Sequence, residues 1–306
     1  SISETITKNP NDALEVLIYV LDNWNDMPVT TKEIWGELME SVGFYPYINK
    51  LNILDRDFGF KIRMQHHHSS LLNLYFHEGQ KELSDLIFSG KNVVASAPTS
   101  FGKSLLIEEI VASRIFHNIV IIQPTLALLD EMRQKLNKYK NYYKIIVRTN
   151  QTLSKDKGNI FLLTAERVLE YADLPNIDFL ILDEFYKLSS TRGDNRSNIL
   201  NNAFLKVMKN KHCQFYLLGP NIDNVSGEFL KKYNAEFYKT KYTLVNTKTI
   251  NEYDKVKKSR TKVAEGDLYN ILDNITEQTL IFCSSPSTAR KLAFQYAKHL
   301  DNKGKI

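Results

Sequence analysis

Gly102, Lys103 and Ser104 stand where a strand-to-helix turn would bring them to a phosphate group. The apolar run Val93–Ala97 predicts a buried strand, the polar turn Pro98–Phe101 follows it, and the three residues open a helix. Backbone N–H groups of such a loop converge on phosphate oxygens, and the helix dipole favours negative charge there. The alternative is an ordinary turn that happens to contain Gly-Lys-Ser.

The spacing fits the phosphate-binding pattern G-x-x-x-x-G-K-[ST], with Ala97 in place of its first glycine. An alanine suffices there if its φ is negative, whereas Gly102 lets the backbone approach the ligand without a Cβ atom. Lys103 can reach the β- and γ-phosphates, and the Ser104 hydroxyl can bind Mg²⁺. The residues expected to bind the nucleotide are Ala97, Thr99, Ser100, Phe101, Gly102, Lys103 and Ser104.

Two adjacent carboxylates, Asp183 and Glu184, follow the apolar segment Phe179–Leu182, which predicts a strand buried on both faces. The carboxyl ends of such strands face the ligand crevice of an α/β sheet, where Asp183 can hold Mg²⁺ while Glu184 orients and deprotonates an attacking water. The alternative is a helix N-terminus that favours acids through its dipole. A phosphate loop followed by acids about eighty residues later is the order found in a P-loop NTPase.

Composition bounds the class of protein. The 306 residues suffice for two or three structural units, and 43% hydrophobic with 25% charged residues is typical of a soluble globular protein. No apolar run approaches the ~18 residues of a membrane span, and no basic segment precedes an apolar core at the N-terminus, so we expect a cytoplasmic protein with no membrane partner. Cys213 and Cys283 predict two buried free thiols. The net charge of +5 is compatible with nucleic acid but does not identify it.

Residues 1–70 are predicted to form a helical accessory domain. Apolar residues recur at helical spacing over Pro10–Trp24. A second helix is expected to begin at Thr30 or Thr31, with Thr30 and Glu33 at capping-box spacing, and to end at Gly43.

The last part of this domain, Phe44–Ser70, is mixed and aromatic and contains three successive histidines, His66, His67 and His68. Adjacent residues of a regular element cannot all face one ion. We therefore predict a solvated connection here in preference to a metal site.

Downstream of residue 70 the chain alternates between apolar strand patterns and helix patterns. A helix over Leu71–Phe88 is expected before the loop, and the helix after the loop extends to Ile115. Further strands are expected at Ile119–Ile122, Lys144–Val147, Ile160–Leu163, Phe179–Leu182, Gln214–Leu218 and Glu236–Lys239. Further helices are expected at Leu126–Tyr139, Ala165–Tyr171, Asn195–Asn210 and Val225–Tyr233. This alternation predicts an α/β fold with a doubly wound parallel sheet.

The last part of the chain predicts a linker and the start of a second α/β unit. Residues 244–262 are polar and rich in lysine, which we interpret as an interdomain linker, with a basic nucleic-acid contact as the alternative. A helix at Asp267–Ile275, a strand at Thr279–Cys283 and a helix at Ser287–Leu300 are expected to follow. One strand between two helices cannot bury its own faces, so residues 263–306 are expected to begin a domain of a longer protein.

Six features in order resemble the superfamily 2 helicases, most closely the branch of Ski2-like and DEAD-box (DExH/D) proteins. APTSFGKS (97–104) is similar to motif I, QPTLALLDEM (123–132) to motif Ia, and LLTAER (162–167) to a motif written Thr-Pro-Glu-Arg. ILDEFYKL (181–188) is similar to motif II, and LIFCSSPSTARKLA (280–293) to motif IV. Gln80 occupies the place of the adenine-reading glutamine.

The resemblance implies a RecA-like ATP-binding domain over residues 71–243 and the start of a second RecA-like domain over residues 263–306. ATP and Mg²⁺ are the implied cofactors, with Lys103, Asp183 and Glu184 catalytic and with Ser104 and Asp183 at the metal. Contact with a nucleic-acid backbone is implied for Pro124, Thr125, Ala127, Thr164 and Arg167.

The chain departs from the family pattern after the acids of motif II and at motif III. Phe185 and Tyr186 follow the acids where the family has Ala-Asp, Ala-His or Val-His. Gly219, Pro220 and Asn221 stand where the family has Ser-Ala-Thr. Motifs V and VI, which include the family's arginine finger, would lie beyond residue 306, so this stretch is expected to bind ATP better than it hydrolyses it.

The function we predict is that of an ATP-dependent helicase or translocase, an ATP hydrolase that moves along or unwinds single- or double-stranded DNA or RNA. The first alternative is a degenerate ATP-binding sensor of nucleic acid or of a protein partner. The second is the motor subunit of a microbial restriction or antiviral defence system.

Overall fold

The computed structural model describes residues 10–51, 57–188, 195–220, 222–240, 242, 263–275 and 278–303. Contacts divide the chain into two units, residues 1–246 and residues 247–306. The predicted linker over residues 244–262 lies outside the described residues, and so does Asn221.

Helices and one hairpin lie ahead of the main sheet. The described helices of this region are α1 (Pro10–Asp22), α2 (Val29–Ser41), α3 (Tyr45–Lys50) and α4 (Phe58–His66). The hairpin pairs β1 (His68–Ser69) with β2 (Leu74–Tyr75) in antiparallel register. Leu17, Met39, Phe44, Ile48 and Phe60 are fully buried, so this region has a hydrophobic core of its own.

The helix predicted over Leu71–Phe88, ahead of the phosphate loop, is only partly correct. Only its second half is helical, as α5 (Glu78–Phe88), because the β1–β2 hairpin occupies the first half. His77 caps α5 by accepting a hydrogen bond at Nδ1 from the backbone N–H of Gln80, 3.2 Å away. Histidine is not among the residues preferred at the N-cap position, so a helix that starts after His77 is hard to predict from sequence.

Two predictions about the accessory region are wrong. The capping box at Thr30 and Glu33 does not form, because α2 begins after Pro28, where no side chain caps the helix. The histidine tract is not a solvated connection at His67, whose side chain is buried and stacked on Tyr45 with ring centroids 3.7 Å apart. Stacking on an aromatic ring stabilises an imidazole inside an apolar core. A run of histidines in the sequence does not by itself predict such burial.

The main sheet of the described residues has seven strands, all parallel, in the order β5-β6-β4-β7-β8-β3-β9. The strands are β3 (Asn92–Ser96), β4 (Asn118–Ile122), β5 (Tyr143–Ile146), β6 (Gly158–Leu163), β7 (Phe179–Asp183), β8 (Gln214–Gly219) and β9 (Ala235–Lys239). The helices that connect them are α6 (Lys103–Ser113), α7 (Leu126–Leu136), α8 (Ala165–Glu170), α9 (Asn195–Val207) and α10 (Gly227–Tyr233).

Helices cover both faces of this sheet, and the sheet separates the hydrophobic core into two layers. Val93 of β3 packs in the layer that contains Ile107 of α6. Its neighbour Val94 packs in the opposite layer, with Phe204 of α9. Successive side chains of a strand point to opposite faces, so apolar residues are needed at every position of a strand covered on both sides. The predicted doubly wound α/β fold is confirmed.

The second unit contains α11 (Val263–Asp273) and α12 (Pro286–Asn302). The strand predicted at Thr279–Cys283 is wrong, since within the described residues this segment pairs with no other strand. A strand is held by hydrogen bonds to a neighbour, and here Leu280 and Phe282 are almost fully exposed. Cys283 is only partly buried, so the prediction of a buried thiol holds for Cys213 alone. Within the described part of the chain, no helix has the length and hydropathy of a membrane span.

Candidate nucleotide and nucleic-acid sites

The phosphate loop connects β3 to α6 through one short 3₁₀ turn, Thr99–Phe101. Gly102 follows with φ of 80°, in the left-handed region that favours glycine. A Cβ atom at Gly102 would collide with the side-chain amide of Gln80. The backbone conformation therefore favours glycine here, and any other residue would also displace the Gln80 amide from the loop.

Lys103 reaches back into the loop at the first position of α6. Its ammonium group donates hydrogen bonds to the carbonyl oxygens of Ala97 and Pro98, at 2.8 and 2.9 Å. Burial lowers the pKa of Lys103, and the nearby carboxylates of Asp183 and Glu184 oppose that change. The lysine of the loop therefore lies close enough to both acids to interact with their charges.

Sheet register explains why these residues meet. On one side of β8, Ser96 of β3 lies opposite Gly219, and on the other side, Asp183 of β7 lies opposite Leu218. Parallel strands direct their carboxyl ends to the same edge of a sheet, so the loop after β3 and the acids after β7 flank the end of β8. Glu184 has φ of 55° and donates its backbone N–H to Oδ1 of Asp183 at 2.8 Å, which turns the chain sharply at the pair.

A cavity of about 270 Å³ lies between the loop and the acids. It is lined by six residues that the sequence predicts to bind or act on a nucleotide. The six are Thr99, Gly102, Lys103, Ser104, Asp183 and Glu184.

The donor set fits ATP with Mg²⁺. Mg²⁺ is commonly held by one or two protein oxygens together with substrate phosphates, which Ser104 and Asp183 can supply here. Among the described residues there is no group of three histidine, cysteine or acidic side chains that could hold a metal without such help. Oε1 of Gln123, which lines the same cavity, is buried without a hydrogen-bond partner in the described residues and is therefore suited to a polar ligand.

Four predicted nucleotide-binding residues lie around the cavity without lining it. Phe101 has a buried side chain that packs against the His77 ring, and its carbonyl oxygen accepts hydrogen bonds from His77 and Gln80. Gln80 is buried, and its Nε2 donates to that oxygen at 2.9 Å. Ala97 is buried, and Ser100 is partly buried in the 3₁₀ turn.

The residues predicted to contact nucleic acid follow two neighbouring strands, and we call them the strand-contact edge. They are Pro124, Thr125, Ala127, Thr164 and Arg167. Thr125 caps α7 and Thr164 caps α8, each accepting a backbone hydrogen bond at its hydroxyl. Because β4 pairs with β6, these two helix starts lie side by side at the carboxyl edge of the sheet.

A second cavity, of about 120 Å³, joins the nucleotide side to this edge. Gln123 and Asp183 line both cavities, while Pro124 and Ala165 line only the second. A movement of the Gln123 or Asp183 side chain would therefore change the shape of both cavities.

Sequence reasoning missed three polar residues that line the cavity between the loop and the acids, which we call the nucleotide cavity: Gln123, Glu131 and Lys135. Lys135 donates to Oγ of Ser104 at 3.2 Å and lies 3.4 Å from the buried carboxylate of Glu108. The signal was present in helical spacing, since Leu128, Glu131 and Lys135 lie on one face of α7 and all line the cavity.

Two family profiles match parts of this chain. Residues 77–218 match the profile of the DEAD/DEAH box helicase family, and residues 1–57 match that of the anti-bacteriophage protein B N-terminal domain. Anti-bacteriophage protein B of Escherichia coli is 34% identical over 229 residues, which are 71% of this chain and 31% of that protein. The chain thus spans about a third of the length of this curated relative.

Solved structures that match this chain include a DEAD box protein from Methanococcus jannaschii, 18% identical with a TM-score of 0.44, where the match covers 81% of this chain and 69% of that one. A hypothetical ATP-dependent RNA helicase from Sulfolobus tokodaii is 18% identical with a TM-score of 0.41, over 60% of this chain and 56% of that one. The profile match over residues 77–218 covers the part of the chain that holds the phosphate loop and the carboxylates of Asp183 and Glu184.

Proposed function

We propose that the chain is the ATP-binding part of a nucleic-acid-dependent ATPase that moves along or unwinds DNA or RNA. The single observation that carries this proposal is the cavity that gathers Lys103, Ser104, Asp183 and Glu184 at the carboxyl edge of the sheet. Phosphoryl transfer depends on positioning and on charge neutralisation, and these four side chains are the types that such chemistry uses.

Each of the four has a distinct role in the proposal. Lys103 holds the negative charge of the β- and γ-phosphates, and Glu184 orients and deprotonates the attacking water. Ser104 and Asp183 hold Mg²⁺, which when bound neutralises charge on the phosphates. The strand-contact edge binds phosphates of the nucleic acid, so binding is expected to be largely indifferent to base sequence.

The proposed biological setting is defence against bacteriophage. Support comes from the similarity to anti-bacteriophage protein B, which includes a match of residues 1–57 to the N-terminal domain of that protein. The helical region that contains these residues packs around the start of α5, where the backbone N–H of Glu78 donates to the carbonyl oxygen of Gly43. This region is therefore placed to act on the helix that precedes the phosphate loop.

The experiment is ATP hydrolysis by the full-length protein with and without single-stranded DNA and RNA. We expect nucleic acid to stimulate turnover in the wild type, and Lys103→Ala and Glu184→Gln to abolish that stimulation. Normal stimulated turnover in Lys103→Ala would refute the site.

A second candidate is an ATP-dependent sensor that closes on nucleic acid without unwinding it. It is favoured by Phe185, whose buried ring lies directly after the acids, where the family has a small residue and a polar one. A strand-displacement assay separates the two functions, since a sensor would hydrolyse or bind ATP without releasing the displaced strand.

A further inference from the structure

A groove of about 510 Å³ runs beside the edge strand β5, between that strand and α7. Its cationic lining residues are Arg133 of α7, Lys140, Lys144 of β5, and Lys157 just before β6. No acidic side chain lines it. We call this feature the basic groove.

Two lysines of the basic groove, Lys144 and Lys157, are held in place by neutral oxygens. Lys144 donates to the hydroxyl of Thr152 at 3.1 Å, and Lys157 donates to the carbonyl oxygen of Lys140 at 3.0 Å. Within the described residues, Lys140, Lys144 and Lys157 make no ion pair with a carboxylate. Arg133 pairs with Asp130 on the helix surface, and such exposed pairs are weak and readily exchanged.

The basic groove is continuous with the strand-contact edge. Arg167 of that edge donates from its guanidinium to the carbonyl oxygen of Val147, which lines the groove, at 2.9 Å. Gln151, also in the lining, accepts at Oε1 from the backbone N–H groups of Val147 and Arg148. Hydrogen bonds therefore hold the turn between the basic groove and the strand-contact edge in place. One nucleic-acid strand can contact both surfaces across this turn.

We infer that the basic groove is a second phosphate-backbone site, which binds the nucleic-acid segment flanking the part held at the strand-contact edge. This inference rests on the proposed function, since it requires nucleic acid at that edge. Several cations without a carboxylate partner along one groove are typical of a surface that binds a polyanion. An extended groove also fits the phosphates spaced along a nucleic-acid strand better than it fits a single anion.

An acidic peptide that pairs with the edge strand is a different occupant. β5 is short and carries Lys144, and short charged edge strands resist the addition of another strand. The continuity with the strand-contact edge also favours nucleic acid over a peptide.

The test is fluorescence anisotropy of the full-length protein with single-stranded oligonucleotides of roughly 6 and 16 nucleotides, over a range of salt concentrations. The short strand covers the strand-contact edge only, whereas the long one also reaches the groove. The variant is Lys140→Ala/Lys144→Ala/Lys157→Ala. The matched control is Lys209→Ala/Lys211→Ala/Lys231→Ala, which removes the same charge from exposed residues outside the groove.

We expect the groove variant to lose at least about tenfold in affinity for the long strand and to leave the short strand unaffected. Its salt slope for the long strand should fall by about 2, since each lost phosphate contact on a single strand is worth about 0.7. The control triple variant should bind both strands as the wild type does.

Equal binding of the long strand by the wild type and the groove variant would overturn this inference and leave the proposed function standing. A loss equal in the groove variant and the control would also overturn it, because general charge would then explain the effect. Displacement of the long strand from the wild type by poly-glutamate, with no displacement from the groove variant, would assign the groove to an acidic peptide instead. Failure of the wild type to bind either strand would refute the proposed function together with this inference.

Discussion

The side-chain amide nitrogen of Gln80 lies 2.9 Å from the carbonyl oxygen of Phe101, so the start of α5 is fastened to the last residue of the phosphate loop before Gly102. The oxygen of the same amide accepts the backbone N–H of His77 at 3.2 Å. One buried side chain thus joins the cap of a helix to the loop, and changes at either place are expected to reach the nucleotide cavity.

Gly102→Ala tests the packing between Gln80 and the loop. Both Gly102 and Gly90 have φ near 80°, so alanine costs about 1–2 kcal/mol of backbone strain at either position. Only at Gly102 would the new Cβ atom also meet a neighbour, whereas nothing lies within 4 Å of it at Gly90.

Chemical denaturation and nucleotide binding check this prediction. We expect Gly90→Ala to lose only the strain energy and to bind nucleotide normally, and Gly102→Ala to lose more stability and its nucleotide affinity. Similar stability losses with normal binding in both variants would contradict the geometry of the loop.

Lys135→Ala tests whether the lysine of α7 belongs to the nucleotide site. Lys135 and Lys138 both pair with Glu108, but only Lys135 contacts Ser104 and lines the cavity. Loss of a cation a few ångströms from bound phosphates should weaken ATP binding by about 1 kcal/mol, or about fivefold. Lys138→Ala is the control and should bind ATP as the wild type does, and equal affinities in the two variants would exclude Lys135 from the site.

His77 predicts a pH dependence of stability. Burial lowers the pKa of its imidazole to about 4, while the hydrogen bond to the Phe101 carbonyl and the nearby His67 have smaller effects, raising and lowering it respectively. The pKa in the unfolded chain is about 6.5, so the unfolded state binds the extra proton first as the pH falls. The free energy of unfolding should therefore fall between about pH 6.5 and pH 4, by up to about 3 kcal/mol, and His77 contributes no further change above pH 6.5.

Denaturation curves of the wild type and His77→Asn across this range measure the effect. Asparagine can still cap α5 but does not titrate, so we expect a flatter pH profile in the variant. Parallel profiles would assign the pH dependence to other groups.

Gln123→Met tests the unpartnered amide oxygen between the two cavities. Removing a buried acceptor that has no partner should stabilise the protein by about 1 kcal/mol. The same change should weaken ATP binding if the oxygen serves a ligand. Tyr216→Phe is the control, because its buried hydroxyl also lacks a partner in the described residues but does not line the nucleotide cavity. A similar gain in stability with unchanged ATP affinity in both variants would leave Gln123 without a role at the site.

The sheet and the phosphate loop were predictable from sequence for a physical reason. A strand covered on both faces is apolar at successive positions, and the runs Ile119–Ile122 of β4, Ile160–Leu163 of β6 and Phe179–Leu182 of β7 carry that signal. The acids after β7 were predictable because charge at the end of such a strand is costly unless it is used.

The remaining features depend on contacts between distant residues. A hairpin as short as β1–β2 leaves almost no periodic pattern, and His67 is buried only because Tyr45 supplies a ring to stack on. Lys135 reaches Ser104 across 31 positions of sequence, so its place in the cavity becomes visible only once α6 and α7 are packed. A sequence pattern predicts the structure of a single helix or strand, whereas these sites depend on contacts between two of them.

The most direct measurement of the central claim is calorimetric titration of the full-length protein with a non-hydrolysable ATP analogue, with and without Mg²⁺. The account predicts Mg²⁺-dependent binding at one site in the wild type, a loss of at least about a hundredfold in affinity in Lys103→Ala, and wild-type binding in the exposed-lysine control Lys211→Ala. Wild-type affinity in Lys103→Ala would contradict the placement of ATP between the phosphate loop and the carboxylates of Asp183 and Glu184.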